Sequence, residues 1–415
     1  MIALHNYSAS TKQEAKIKML NCKWLGIDLR SPLVLASLTM LSKQDIKKHI
    51  EYYEKAAYYG VGAIVLPTIH PSRTNESIDN PQIRITAVPS GLEKNEYMGF
   101  AVLGRTENIL PMDYGVTLIR EAVRIGIPII ASIANVGTID DFLGAIQQVR
   151  NIVGLSGIEL NFSCPSVIDG LPINGELLRE IRALCKILPI TIKLAPYVDY
   201  APLLENKCCF EGITYSNAQR ALLPPNMSIA EPTPFDNLEL WRPTGIYGPQ
   251  EKLSTFYNIW KFKTNNLTTG IHLSSVGGFV SPQDVIQAIM LGSDTVQLSS
   301  AILWKGLKTI EECNKLLYSF LEKNNLSLVE LNGISIKHIV STEKEIQDQF
   351  PVRYMSADKC NNCEYCSCIE RGCYAFQKAR DIPAEIDRTL CSGCGWCMIM
   401  CKYGIISEVL PKNEA

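Results

Sequence analysis

Several features common to membrane and nucleic-acid proteins are missing from this sequence. No apolar run approaches the ~20 residues that a membrane-spanning helix needs. The opening residues, MIALHNYSASTKQEAKIKM, lack the apolar core of a secretion signal. Positive charge is not in excess: 40 Lys and Arg stand against 42 Asp and Glu, for a net charge of −2. That balance speaks against a nucleic-acid partner. No G-x-G-x-x-G follows an apolar strand, so no nicotinamide dinucleotide site is expected. Histidine is scarce, with five in 415 residues, and only His70 falls near the end of a strand-like run. Proton transfer, if the chain performs it, must use another group. A soluble, cytoplasmic protein acting on a small molecule is the expectation.

Cysteine, by contrast, is plentiful and unevenly spread. Of 15 cysteines, Cys22, Cys164, Cys185, Cys208, Cys209 and Cys313 are scattered, and the other nine crowd between Cys360 and Cys401. In a reducing compartment such crowding points to metal or redox chemistry, because structural disulfides are rare there. The chain is therefore divided into residues 1–345 and a cysteine-rich tail, residues 346–415.

Before the boundary, short apolar runs alternate with helix-length segments. The runs are LVLAS (33–37), AIVLP (63–67), IIASI (129–133), IELNF (158–162), TIKLA (191–195), GITYS (212–216), IHLSS (271–275) and TVQLS (295–299). They lack strict polar alternation, as expected of parallel strands covered on both faces. Amphipathic stretches such as DDFLGAIQQVRNIV lie between them, and SPQDVIQAIMLG opens on a Ser-Pro start and closes on glycine. Eight such strands predict an α/β fold of the (β/α)8 TIM-barrel type. A doubly wound open sheet is the alternative. Two connections, from about Thr68 to Pro111 and from Gln219 to Gly248, are long enough to be lids or to carry extra secondary structure. Both follow strand ends, which form the catalytic face of a barrel.

The last two strands end in SSVGGFVSPQD and VQLSSAI. Loops at these two positions of a barrel frequently bind phosphate through backbone amides. Gly277 and Gly278 would let backbone approach an anion, and Ser299 and Ser300 add donors. An ordinary tight turn is the competing explanation.

In the tail, CSGCGWCMIMC sets Cys391, Cys394, Cys397 and Cys401 in the C-x2-C-x2-C-x3-C spacing of a bacterial-type ferredoxin, whose fourth cysteine ligates the other cluster. A first run begins with the same spacing at Cys360, Cys363 and Cys366. Zinc is the alternative, since two C-x2-C pairs make a four-cysteine site. Nine cysteines exceed what one zinc needs, so two [4Fe–4S] clusters are expected. One takes Cys360, Cys363, Cys366 and Cys401. The other takes Cys391, Cys394, Cys397 and a cysteine of the first run. Glu370 stands where that eighth ligand is due, leaving Cys368 and Cys373 to compete, and Lys402 replaces the proline that often follows the last cysteine.

Taken together, IELNFSCPS, ITIKLAP, ITYSNA, SVGGFVSPQD and the tail resemble the dihydroorotate dehydrogenase family. The resemblance is nearest to its dihydropyrimidine dehydrogenase branch, which joins an FMN-binding barrel to a two-cluster ferredoxin domain. It implies a flavin-dependent dehydrogenase or reductase acting on a ring C=C/CH–CH bond of a pyrimidine-like substrate. Cys164 would be the general acid/base, and Asn161, Ser166 and Asn217 would bind the ring. Lys193 would face the N1/C2=O edge of the flavin, with Ala36, Ser37, Gly248, Gly277, Gly278, Ser299 and Ser300 as further FMN contacts. Family members keep a glycine a few residues beyond the eighth ligand. Gly372 stands in that relation to Cys368, which the resemblance thus implies as the ligand, leaving Cys373 spare. An external electron carrier, either a ferredoxin or an NAD(P)H-oxidising flavoprotein subunit, and an oligomeric state are also implied.

The residue types suit that chemistry independently. Reducing a C=C beside a carbonyl needs a hydride at one carbon and a proton at its neighbour. A thiol with a reference pKa of ~8.5 can exchange that proton near neutrality. One asparagine offers both a donor and an acceptor, matching an imide edge. The sequence departs from the family at Pro67, where a lysine usually precedes the threonine, and at Val102 or Leu103, where an asparagine is usual. Ser166 replaces the Asn or His that often follows the proline. These departures suggest a substrate other than uracil or orotate, or ring contacts rebuilt from Arg73, Arg105 or Asn108. Reduction of a different activated alkene is thus one alternative, and a catalytically quiet flavin and iron–sulfur electron-transfer subunit is another.

Overall fold

The computed structural model of the chain describes residues 19–38, 45–72, 83–89, 97–104, 109–162, 170–196, 201–222, 243–265, 268–339, 354–357, 372–377 and 385–409. The chain divides into two compact units, Met1–Ile336 and Lys337–Ala415. Among the described residues no helix is long and apolar enough to cross a membrane.

The first unit is a closed barrel of eight parallel strands: β1 (Leu33–Leu35), β2 (Ala63–Val65), β3 (Ile129–Ala134), β4 (Gly157–Asn161), β5 (Ile190–Leu194), β6 (Gly212–Tyr215), β7 (His272–Ser275) and β8 (Thr295–Leu298). They pair in chain order, and β8 returns to β1. All eight apolar runs of the sequence became these strands, and the open sheet is excluded. The alternation of a strand sends successive side chains to opposite faces. Ile158 and Leu160 of β4 therefore join the large outer core beneath the helices, while Glu159 and Asn161 face the lumen. Each fully buried Ile or Leu of this outer core contributes roughly 1.5–3 kcal/mol.

The lumen is layered. At its lower end a hairpin of Cys22–Trp24 and Ile27–Leu29 places Trp24, Leu25 and Leu29 against Val34, Ala63, Val65 and Ile130. Leu25 lies over Gly212, where any Cβ would strike it, so the first residue of β6 has to be small. Above this plug sits a layer of hydroxyls and amides. Thr191 Oγ1 meets Thr214 Oγ1 at 3.1 Å, Gln297 Nε2 donates to Thr214 Oγ1 at 3.3 Å, and Thr295 Oγ1 donates to Ser274 Oγ at 2.8 Å. The apolar plug closes one end, which leaves the carboxyl ends of the strands as the open, polar face.

The Ser-Pro helix start lies where the sequence puts it, and a second helix is capped in the same way. Ser281 caps the helix Pro282–Met290 in a capping box with Asp284, with Pro282 in its first turn. Thr138 and Asp141 do the same for Ile139–Arg150. The two long connections carry extra secondary structure rather than plain loop. Ile83–Pro89 and Tyr97–Gly104 from the first, and Gln219–Ala221 and Thr244–Tyr247 from the second, form one four-stranded antiparallel sheet. Val102 pairs with Gly245 within it.

In the second unit Tyr354–Ser356 pairs with Ser407–Val409, and Phe376–Gln377 with Glu385–Ile386. A short helix, Trp396–Met400, lies within the second cysteine run. Ala357, Phe376, Cys397, Cys401 and Ile406 form its small core.

Candidate active site and cysteine cavity

At the carboxyl ends of the strands, one network of hydrogen bonds, with an ion pair to β5, runs across six consecutive strands. Ser37 Oγ, after β1, lies 3.0 Å from Thr68 Oγ1, after β2. Thr68 Oγ1 lies 3.1 Å from Ser132 Oγ of β3, and Ser132 donates to Glu159 Oε1 of β4 at 3.1 Å. Lys193 Nζ of β5 is 3.8 Å from the same carboxylate oxygen. Asn161 Nδ2 donates to Thr68 Oγ1 at 3.2 Å and accepts through Oδ1 from Asn217 Nδ2, after β6, also at 3.2 Å.

The proton directions follow from counting donors. An ionised carboxylate only accepts, so Ser132 spends its single proton on Glu159. Thr68 must then donate to Ser132, and its remaining lone pairs receive Asn161 Nδ2–H and the Ser37 hydroxyl. Ser37 has thereby used its proton, and toward a bound ligand it presents lone pairs. The barrel thus delivers at its mouth a fixed acceptor, two interlocked amides and a buried cation. Lys193 is 4% exposed and Glu159 0%. Such charges are tolerated in a lumen only when paired.

The register explains the pairing. Asn161 lies opposite Lys193 across β4 and β5, and Ser132 opposite Glu159 across β3 and β4. Glu159 and Thr68 were not singled out as site residues by sequence. The signal was legible for Glu159, because a lone glutamate in an apolar strand requires a partner.

The glycines and serines chosen as flavin contacts fall on neighbouring loops. Gly277 and Gly278 have φ of 118° and 78°, the left-handed region that favours glycine. Both also have a packing reason to be glycine. A Cβ on Gly278 would overlap the Lys252 backbone nitrogen, at the start of the helix Lys252–Thr264, and one on Gly277 would lie 2.9 Å from Thr255 Oγ1. Ser299 precedes, and Ser300 opens, a short helix at the end of β8. Gly248, with φ of 139°, begins the turn that leads to Glu251. Ala36 follows β1 and is buried, and its N–H donates to Leu298 O at 3.1 Å. Cys164 and Ser166, like Arg73, Arg105 and Asn108, lie outside the described residues.

Glu251 is a second buried acid that sequence reasoning missed. It is 3% exposed and accepts from the Gln219 N–H at 2.7 Å, which ties the start of the antiparallel sheet to the barrel. Burial pushes its carboxyl up to about 8, against a smaller opposing pull from the Gln219 N–H. The neighbouring cation, Lys252, is engaged by Asp284 at 2.9 Å. The folded state therefore holds a proton that the unfolded chain releases near pH 4.5. The resulting penalty is absent below that pH and grows until about pH 8. Glu251→Gln is expected to leave stability nearly unchanged at pH 5 and to raise it at pH 9, by an amount on the order of 3 kcal/mol. The check is the barrel's unfolding midpoint for both proteins at the two pH values. A difference that does not vary with pH would refute the account.

In the second unit, Cys391, Cys394 and Cys397 line a cavity of about 440 Å³, together with Cys373, Tyr374, Phe376, Ile386, Leu390 and Trp396. Cys401 is not among the lining residues. Burial raises its thiol, but N–H donors at Ile405, Tyr403, Ile406 and Gly404 outweigh that and hold it below the ordinary cysteine value. Among the described residues no three His, Cys, Asp or Glu converge on a point that a single metal ion would occupy. Cys360, Cys363, Cys366 and Cys368 lie outside the described residues.

Comparison with known proteins assigns both units. The family described as "Dihydroorotate dehydrogenase" matches residues 19–321, and the one described as "4Fe-4S binding domain" matches residues 384–407. The barrel is thus that of a flavin-dependent oxidoreductase acting on CH–CH bonds, joined to an iron–sulfur-binding domain. The chain belongs to the dihydroorotate dehydrogenase family. It is 24% identical over 312 residues to a dihydroorotate dehydrogenase (quinone) of Neisseria meningitidis serogroup C / serotype 2a, covering 71% of this chain and 86% of that protein. Similarity to a dihydroorotate dehydrogenase A (fumarate) of Limosilactobacillus reuteri is 26% over 295 residues, covering 66% and 85%. For a dihydroorotate dehydrogenase B (NAD(+)), catalytic subunit, of Desulforudis audaxviator it is 22% over 286 residues, covering 67% and 85%.

Proposed function

We propose that the chain reduces or oxidises a ring C=C/CH–CH bond of a pyrimidine-like substrate, in the manner of the dihydropyrimidine dehydrogenase branch. The observation that carries this reading is the network joining Asn161 and Asn217 to Lys193 across six strand ends. Two interlocked amides suit the alternating N–H and C=O groups of an imide ring. A buried cation beside them suits a cofactor that gains negative charge on reduction. An FMN would be held by Ala36, Ser37, Lys193 and Gly248, with Gly277, Gly278, Ser299 and Ser300 offering backbone and hydroxyl donors to its phosphate. The flavin supplies two-electron hydride exchange at one ring carbon. Cys164, three residues beyond Asn161, exchanges the proton at the neighbouring carbon. Asn161 and Asn217 fix the ring so that both carbons are presented, and Ser37 accepts from whatever donor approaches the mouth. The cysteines of the tail would hold two [4Fe–4S] clusters, which would supply one-electron exchange with an external carrier, a ferredoxin or an NAD(P)H-oxidising flavoprotein subunit.

One feature favours a second substrate class. At Val102 or Leu103, where the family usually has asparagine, and at Pro67, where a lysine is usual, the sequence departs from the family. A different activated alkene, with fewer polar groups on that side, would meet the same acid/base and hydride chemistry.

Purified without oxygen, the protein is expected to carry FMN and roughly eight iron atoms per chain, which is two four-iron clusters' worth. Uracil, thymine, orotate and other cyclic enones would then be screened for reoxidation of the reduced flavin. Zinc without iron, or FAD alone, would sink the reading. Reoxidation only by non-pyrimidine enones would move it to the second substrate class.

A further inference from the structure

The cavity of the second unit has four cysteines on its wall, and one of them comes from outside the second run. Cys391, Cys394 and Cys397 supply three sulfurs, and Cys373 supplies the fourth. Its position is set by backbone. Gly372, with φ of 87°, turns the chain immediately before it. The segment after it enters the hairpin of Phe376–Gln377 and Glu385–Ile386. Asp387 N donates to Ala375 O at 2.8 Å, and this fastens residues 373–375 beside the stretch that runs directly into Cys391. Cys373 packs with Cys391 on the core formed by Phe376, Cys397 and Ile406.

A [4Fe–4S] cluster takes four thiolates, and in this spacing the last cysteine of a run serves the other cluster. Cys401 obeys that rule, since it lies off the cavity wall. The triplet therefore needs one sulfur from earlier in the chain. We infer that Cys373, rather than Cys368, is the fourth ligand of the cluster held by Cys391, Cys394 and Cys397. The inference rests on the reading that the tail binds four-iron clusters, and it reverses the assignment that the position of Gly372 after Cys368 suggests. Gly372 is then the turn that delivers its own neighbour to the cluster, and the C-x-C pair at Cys366 and Cys368 contributes one ligand and one bystander.

The test uses the full-length, anaerobically prepared chain. In the iron-loaded wild type, iodoacetamide followed by peptide mass spectrometry is expected to alkylate Cys368 and to spare Cys373 until the iron is chelated. Cys373→Ala is expected to lose about four irons and one reduced-cluster signal in electron paramagnetic resonance, as Cys391→Ala does, while Cys368→Ala keeps both. The barrel's retained flavin reports that each variant is folded. Protection of Cys368 with labelling of Cys373, or full iron in Cys373→Ala, overturns the inference and leaves the cluster reading intact. A wild-type chain that binds no iron overturns both.

Discussion

Replacing Cys164 with alanine is expected to lower turnover of the true substrate by ~10²–10⁴-fold, the usual contribution of a positioned acid or base. The loss should be confined to the chemical step. The hydrogen bonds that order the mouth of the barrel link Ser37, Thr68, Ser132, Glu159, Asn161 and Asn217 to one another. Flavin and iron content should therefore stay at wild-type levels, and reduction of the flavin by artificial donors should persist. Cys164→Ser should recover little at neutral pH, because a hydroxyl is a far weaker acid than a thiol, and any recovery should grow as pH rises. The measurement is kcat for ring reduction or oxidation, set against flavin content in the same preparation. If the alanine variant sheds FMN or misfolds while its folded fraction works at the wild-type rate, Cys164 is structural and the proton comes from elsewhere.

The barrel was legible because each of its eight strands is an apolar run with both faces buried, so the pattern survives without context. The helix cap at Ser281 was legible for the same reason, being local chemistry. The mouth was legible only in part. Asn161, Lys193 and Asn217 stand out in their strand-end segments, and the structure joins Asn161 directly to Asn217. Glu159 ties Lys193 to the hydroxyls of Ser132, Thr68 and Ser37, and this depends on register across four strand pairs, which no single segment encodes. Glu251 was invisible for a related reason. Its partner is the Gln219 N–H, which the second long connection separates from it, and its burial depends on the sheet that connection builds. The choice between Cys368 and Cys373 escaped sequence because spacing measures chain length. Cys373 is brought to the cavity wall by the Gly372 turn and the Asp387–Ala375 backbone bond, which spacing does not encode.

The larger structural effect is expected at Lys193. Its ammonium lies 3.8 Å from Glu159 in a lumen where both side chains are almost wholly out of water, at 5% and 0% exposure. The two are not equivalent to a surface pair, whose loss costs ~1 kcal/mol or less. Glu159 Oε2 has no hydrogen-bond partner among the described residues, so the cation carries much of that carboxylate's compensation. Lys193→Met keeps most of the side-chain length and removes the charge. It should destabilise the barrel by ~3–5 kcal/mol, the cost of leaving a buried charge unpaired. Glu159→Gln in the same chain should return most of that loss, because the uncompensated charge is gone and Oε1 can still accept from Ser132. Unfolding of the wild type, both single variants and the double variant closes a double-mutant cycle that isolates the pair. Additive losses would show that the two charges are compensated separately. The double variant also separates stability from function. If Lys193 serves the flavin as well as Glu159, restored stability will not bring back flavin retention or turnover, whereas a purely structural lysine would have both restored together.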